Sequence, residues 1–278
     1  MPDQADYILG RDYCASVRLN AQHACWVETL GYLLHPSIPL AIGNPEGLSI
    51  IDVGTGTGTW LLSVYQQLEA PFKQLVGADI SDAQFPHNTW LPEKVKLITL
   101  DALDPNGPPE ELRGQFDIVN ARYLCGLVRG RPDPLIDFFS KLVKPGGYLQ
   151  WSEPYNFDLG IESVGEPTEG LDYMVSKLSD MLDWAWLDLS DKDMKPFGFG
   201  IIAMQRREPH PWQRRWLLEN WCMLMDELAP RLGWSVEKTR VMNQKAVVEA
   251  ERGNYIKVKL QNIVARKNGS AQVENRDC

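Results

Sequence analysis

A chain of 278 residues can bury a full hydrophobic core, and its length fits one large domain or a domain with a lid. With 44% hydrophobic and 23% charged residues it has an ordinary globular composition, and no stretch reaches the roughly 18 apolar residues of a membrane span. A balance of 28 basic to 37 acidic residues, net charge −9 with the basic side chains scattered, argues against nucleic acid as a partner.

Apolar residues at three- and four-residue spacing (Leu19, Trp26, Leu30, Leu33) predict a helix from about Tyr7 to Leu34. Pro36 and Pro39 end it, and Gly43-Asn44-Pro45 makes a turn. From Leu48 onward short apolar runs alternate with helical stretches. Strands are predicted over Leu48–Val53, Gln74–Asp79, Val95–Leu100, Phe116–Asn120 and Gly147–Trp151, with helices from Trp60 to Leu68 and from Leu135 to Val143. Such alternation implies a mainly parallel sheet covered on both faces. Further on, Leu171–Leu189, Trp212–Leu232 and Val236–Glu251 are expected to be helical, and Phe199–Gln205 and Tyr255–Ala265 to be strands. The division expected is an N-terminal helical lid (1–45), a cofactor-binding core (46–155), pocket helices with the final strands (156–267) and a disordered polar tail (268–278).

The five cysteines are widely spaced, with no CxxC pair to point to zinc, so free thiols and no metal are expected. The first ten residues lack a basic-then-apolar signal pattern. Both observations point to a cytoplasmic protein.

The strongest local signal is Ile50-Ile51-Asp52-Val53-Gly54-Thr55-Gly56-Thr57-Gly58, where a strand gives way to a helix. Glycine lets the backbone take positive φ and approach a ligand closely. A dinucleotide fingerprint is GxGxxG, whereas here the pattern is GxGxG with Asp52 before it and Thr59 after it. Asp79 closes the next strand, where an acid can accept both hydroxyls of a ribose. The alternative for Asp79 is a cap of the turn at Ser81-Asp82.

This loop resembles motif I, E/DxGxGxG, of the class I S-adenosylmethionine-dependent methyltransferases. The resemblance continues, in order, through Asp79, Asp101-Ala102, the Phe116-Asp117-Ile118-Val119-Asn120-Ala121-Arg122 strand and the Lys144-Pro145-Gly146-Gly147 turn. It implies a Rossmann-like α/β fold with a mainly parallel seven-stranded sheet, a helical N-terminal lid and a late-insert lid. It also implies S-adenosyl-L-methionine as cofactor, held by Asp52, Gly54, Thr55, Gly56 and Gly58, by Asp79 and Ile80, by Asp101 and Ala102, and by Asn120 and Arg122. The opening segment Tyr7–Arg11 with Arg18–His23 is similar to fungal secondary-metabolism methyltransferases of the LaeA-like and thiomethyltransferase kind. There the first helices cover the cofactor, so Arg18 or Gln22 is a candidate for its methionine carboxylate, with an exposed helix face as the alternative.

An activated sulfonium methyl transfers in line to a nucleophile held roughly 3 to 3.5 Å away, and a base is needed only if the acceptor must lose a proton. Of the four histidines, His35 and His210 sit beside prolines as turn residues, leaving His23 on the lid helix first and His87 second. Glu153, just past the fifth strand, is the other candidate, with a surface-facing Glu as its alternative. Trp151, Trp184, Trp186, Met204, Trp212 and Trp216 are expected to line an acceptor pocket, unless they are ordinary core aromatics. The function expected is methyl transfer to oxygen, sulfur or nitrogen of a small, largely apolar or aromatic secondary metabolite by a monomer or homodimer. A methyltransferase-fold cyclase and a non-catalytic regulator are the alternatives, because fold does not fix function.

Overall fold

Strands β1 (Leu48–Val53), β2 (Phe72–Asp79), β3 (Val95–Thr99), β4 (Phe116–Arg122), β5 (Val143–Glu162), β6 (Phe199–Arg207) and β7 (Tyr255–Lys267) form one sheet. The computed structural model of the chain describes residues 9–40, 46–128, 130–181 and 185–269. The strand order is β3-β2-β1-β4-β5-β7-β6, and β1 pairs in parallel with both β2 and β4. The β2–β3 and β4–β5 pairs are also parallel, whereas β7 runs antiparallel to β5 and β6. The order reverses at β1, so the crevice between the carboxyl ends of β1 and β4 is the topological switch point where open α/β sheets bind ligands.

Side chains alternate across each strand, and the two faces build separate cores. Ile51, Val53, Val119 and Ala121 face α3 (Asp133–Leu142), whose Leu135, Ile136, Phe138, Phe139 and Leu142 are buried there. Ile50, Leu75 and Ile118 face α2 (Thr59–Gln67), which buries Trp60, Leu61 and Val64 together with Leu33, Leu34 and Ile38. A third core lies among α4 (Glu169–Met181), α6 (Arg214–Leu228) and α7 (Val236–Glu251), with Ile256 and Val258 of β7 and Cys25 of α1 (Tyr13–Leu30). The short helix α5 (Asp191–Met194) leads into β6.

Several boundaries differ from those expected. Helix α1 stops at Gly31 rather than near Pro36, because Gly31 takes a left-handed φ of 78° and its N–H bonds Val27 O at 2.7 Å. Tyr7 and Ile8, the expected start of that helix, and the Gly43–Pro45 turn lie outside the described residues. The helix expected over Leu171–Leu189 is described only to Met181, and Ala185–Leu187 forms a separate 3-10 turn. Strand β5 runs well past Trp151 to Glu162, because β7 pairs with it from Tyr148 to Tyr155 and again from Gly160 to Glu162. At the expected tail, Lys267 ends β7 and the Asn268 N–H bonds Gly198 O at 2.8 Å, so the chain is still held there. Residues 270–278 lie outside the described range.

Candidate functional site

The loop after β1 is built on its glycines. Gly54, Gly56 and Gly58 have φ values of 72°, 56° and 75°, a region that residues with a Cβ avoid. The N–H groups of Gly54 and Thr55 both bond Ala78 O, at 2.8 and 3.0 Å, which folds the loop back against β2. A Cβ on Gly54 would sit 2.7 Å from Leu124 Cδ2, and one on Gly77 would sit 2.5 Å from Leu97 Cδ2 and 2.9 Å from Thr55 Oγ1. The backbone is therefore closely cradled between the ends of β2, β3 and β4.

Asp79 sits at the end of β2, its Oδ2 accepting the Gly56 N–H at 2.8 Å and its Oδ1 the Ser81 N–H at 3.3 Å. One carboxylate thus ties the loop to the following turn, so the turn-capping bond is present together with a bond to the loop that the sequence did not signal. Burial raises its pKa against the hydrogen bond from Gly56. Beyond it, Ile80 is 40% exposed and Leu103 39% exposed, forming an apolar rim at adjacent strand ends. Asp101 accepts the Leu103 N–H at 2.8 Å, which fixes the Asp101-Ala102 turn after β3.

Asp52 is buried and braces the loop from below. Its Oδ2 accepts from Thr55 Oγ1 and its Oδ1 from Asn120 Nδ2, both at 2.7 Å. Burial raises its pKa, opposed by the nearby Arg122 charge and these two hydrogen bonds. The chain of bonds continues inward, because Asn120 Oδ1 accepts from Gln150 Nε2 at 3.0 Å. Gln150 Nε2 also bonds Leu33 O at 2.9 Å, and its Oε1 accepts the His35 N–H at 2.8 Å. A continuous polar chain thus crosses β5, β4 and β1 and joins the segment after α1 to the glycine loop. Gln150 carried no signal in the sequence beyond being a polar residue inside an apolar strand.

Helix α1 lies directly over the loop. A Cβ on Gly56 would meet Leu19 Cδ1 at 3.0 Å, and Thr57 Oγ1 donates to Asn20 Oδ1 at 2.7 Å. His23 is clamped at both ring nitrogens, with Nδ1 3.2 Å from Arg122 Nη2 and Nε2 3.0 Å from Ser63 Oγ. Arginine only donates, so Nδ1 is the acceptor and Nε2 carries the proton toward Ser63. Ser63 in turn donates to Thr59 O at 2.9 Å. Burial first, and the Arg122 charge second, lower the His23 pKa to about 3, so the ring is neutral near pH 7. Burial likewise lowers Arg122 to about 10, with Asp52 opposing it. His23 thus links α1 to Arg122 and to Ser63 of α2.

Arg18 and Gln22 are buried, which corrects the exposed-face alternative. Arg18 Nε pairs with Glu227 Oε2 of α6 at 3.0 Å, and Asn220 Nδ2 donates to Arg18 O at 2.7 Å. This guanidinium holds α1 to α6.

Glu153 is also buried, not surface-facing. Its Oε1 accepts from the Leu124 N–H and from Trp151 Nε1, both at 2.7 Å, and its Oε2 from the Cys125 N–H at 3.2 Å. Burial raises its pKa to about 7, against those hydrogen bonds. It holds the turn after β4, where Tyr123 takes a φ of 59° and its N–H bonds Ser152 O at 3.1 Å. That turn carries Leu124 onto Gly54. His87 is exposed, and its Nδ1 contacts Thr89 Oγ1 at 2.9 Å as the cap of its own turn.

The aromatics expected to line one pocket are not brought together. Trp151 and Trp186 are core side chains, their rings 5.4 Å apart, with Phe139 against Trp151 at 5.3 Å. Trp212 and Trp216 are about half exposed and pack edge-to-face at 5.0 Å on the outside of α6. Met204 is exposed on β6. Trp184 lies outside the described residues. The core alternative holds for the first pair, because a large apolar ring in a strand goes inward wherever that strand is covered.

The methyltransferase-domain family model matches residues 26–228, which takes in the glycine loop and strands β1–β6 and begins near the end of α1. The chain belongs to that family. The methyltransferase grgD of Penicillium sp is 34% identical over 161 residues, covering 55% of this chain and 53% of that relative. N-methyltransferase verN of Clonostachys rogersoniana is 31% identical over 152 residues, covering 53% and 50%. The match spans about half the length of these fungal relatives. Among solved structures, the [4+2]-cyclase SpnF is similar in fold, with a TM-score of 0.51 at 19% identity over 92% of this chain and 82% of that one. Among the described residues, no helix is long and apolar enough to cross a membrane, and no cluster of side chains suits a metal ion.

Proposed function

We propose that this methyltransferase-family protein binds S-adenosylmethionine at the switch point and transfers its methyl group to a small, largely apolar or aromatic acceptor. The observation that carries the proposal is the side-chain-free loop of Gly54, Gly56 and Gly58, with the Asp79 carboxylate bonded to the Gly56 N–H. The donor set suits the cofactor. Asp79 retains acceptor capacity for the ribose hydroxyls, the Ile80 and Leu103 rim suits the adenine, and the loop lets the ligand lie against bare backbone. When bound, the cofactor supplies a methyl group on a positively charged sulfur, open to in-line displacement.

The chain's own contribution is placement and exclusion of water. Asp52, Asn120 and Gln150 hold the loop in one geometry, Glu153 holds the Tyr123–Cys125 turn against it, and α1 closes it from above. His23 and Glu153 are both spent on these bonds, so the acceptor enters with its nucleophile already competent or loses its proton to water. This supports orientation over side-chain base catalysis.

Incubating the protein with S-adenosylmethionine and a panel of small aromatic alcohols, thiols and amines tests the proposal. Formation of S-adenosylhomocysteine and a product 14 Da heavier in equal amounts, read by mass spectrometry, is expected from methyl replacing hydrogen. Tight cofactor binding without consumption while an acceptor rearranges, or methylation confined to proteins or nucleic acids, would contradict it.

A further inference from the structure

A cavity of about 200 Å³ lies between the first turns of α6, the end of α7 and the start of β7. None of its lining residues belongs to the glycine loop or to the ends of β1–β4, so it is separate from the methyl-transfer site. Its floor is apolar, made of Leu217, Leu218, Trp221, Ile256 and Val258, all buried.

The charges around it are unevenly satisfied. Arg215 already pairs with Glu219 at 2.5 Å and Glu251 at 3.2 Å, and Lys257 pairs with Glu162 at 3.1 Å. Arg214 stacks its guanidinium 3.6 Å over the Tyr255 ring and forms no ion pair among the described residues. Stacking fixes the plane of an arginine yet leaves the N–H groups along its edge free for a planar acceptor. A half-buried guanidinium held flat at the rim of an apolar hollow matches a carboxylate, which it can engage through two parallel hydrogen bonds. A phosphate dianion fits poorly, because the other two cations are taken and Glu208 lies exposed on the rim. The volume, below the roughly 300 Å³ at which drug-sized pockets begin, limits the ligand to a single ring or short branched chain.

We propose that this cavity is a second binding site, for a small carboxylic acid with an apolar body, its carboxylate on Arg214 and its hydrocarbon on the Leu217–Leu218–Trp221 floor. The site does not depend on the methyl-transfer proposal, and its test separates the two.

Benzoate and cyclohexanecarboxylate are titrated into the full chain by calorimetry, with benzamide and benzyl alcohol as neutral comparators. One-to-one binding of both acids, at least tenfold tighter than either comparator, is expected. Arg214→Gln should weaken the acids at least tenfold and bring them level with benzamide. Ala250→Leu, which fills the cavity from α7, should remove binding of acids and neutral probes alike while the melting temperature reports a folded chain. S-adenosylmethionine titrates equally into wild type and Arg214→Gln if the sites are separate. Absence of saturable acid binding, equal binding of benzamide, or an unchanged affinity in Arg214→Gln would overturn the proposal, whatever the cofactor does.

Discussion

Glu153 is a buried and His23 a partly buried titratable side chain, and burial pushes their pKa values in opposite directions. Glu153 rises from 4.5 to about 7, so the folded chain holds a proton there that the unfolded chain has lost. Its contribution to stability is full below pH 4.5 and is lost as pH rises through about 7. His23 falls from 6.5 to about 3, so its contribution is full above pH 6.5 and is lost as pH falls through about 3. Between these limits the two oppose each other. Urea unfolding of Glu153→Gln should show a wild-type advantage that shrinks with rising pH by up to about 3 kcal/mol, whereas for His23→Gln the wild-type advantage should grow with pH. Differences that do not vary with pH would refute both assignments. Gln150 acts at one remove from the site. Gln150→Leu leaves Asn120 Oδ1 without its donor, which costs about 1–3 kcal/mol in a buried setting and frees the Asn120 amide to turn from Asp52. Cofactor affinity should fall in this variant and recover in part in Gln150→Asn, a pattern that simple loss of packing would not give.

At the scale of elements, close approach of backbone decides how the lid is built. Helices α4 and α7 meet at Gly170, where a Cβ would lie 2.3 Å from Ala246 N and 2.6 Å from Met242 O. Glu249 of α7 accepts the N–H groups of Gly170 and Leu171 at 2.8 and 2.9 Å, satisfying donors that the first turn of α4 leaves unpaired. Gly170→Ala forces the helices apart, and overpacking of this kind costs about 1–3 kcal/mol, a fall in melting temperature of roughly 2–4 °C per kcal/mol for a domain of this size. An unchanged melting temperature would show that the two helices separate freely. The strands were legible because Leu48–Val53, Gln74–Asp79 and Phe116–Asn120 are covered on both faces and read as near-continuous apolar runs. Their ends were less so. Gly31 ends α1 through its left-handed turn before the prolines act, and the length of β5 is set by its distant partner β7, which local periodicity does not encode.

For the molecule as a whole, the fold and the cofactor-facing residues were written in local motifs, whereas the lid's attachments are long-range pairs. Arg18 with Glu227, His23 with Arg122 and Cys25 O with Gln213 Nε2 each join positions more than ninety residues apart, and nothing in their local sequence marks the partner. The placement of the aromatics is set by long-range packing in the same way. Trp212 in the 3-10 turn Pro211–Gln213 and Trp216 in the first turn of α6 pack on each other and stay about half exposed. Leu19 of α1 lies close over Gly56, so a ligand that settles on the loop is expected to order α1 as well. Amide hydrogen exchange in α1 and residues 54–58 should slow on adding S-adenosylhomocysteine, and equal exchange with and without it would show that α1 is not a lid. The central claim is cofactor binding at the glycine loop, and calorimetric titration of S-adenosylmethionine and S-adenosylhomocysteine into wild type and Asp79→Ala tests it most directly. Micromolar binding of both to wild type and at least a tenfold loss in the variant are expected, about the 1.4 kcal/mol or more lost when a charged hydrogen-bonding partner is removed. A folded wild-type protein that binds neither, or an Asp79→Ala variant that binds both as tightly, would contradict it.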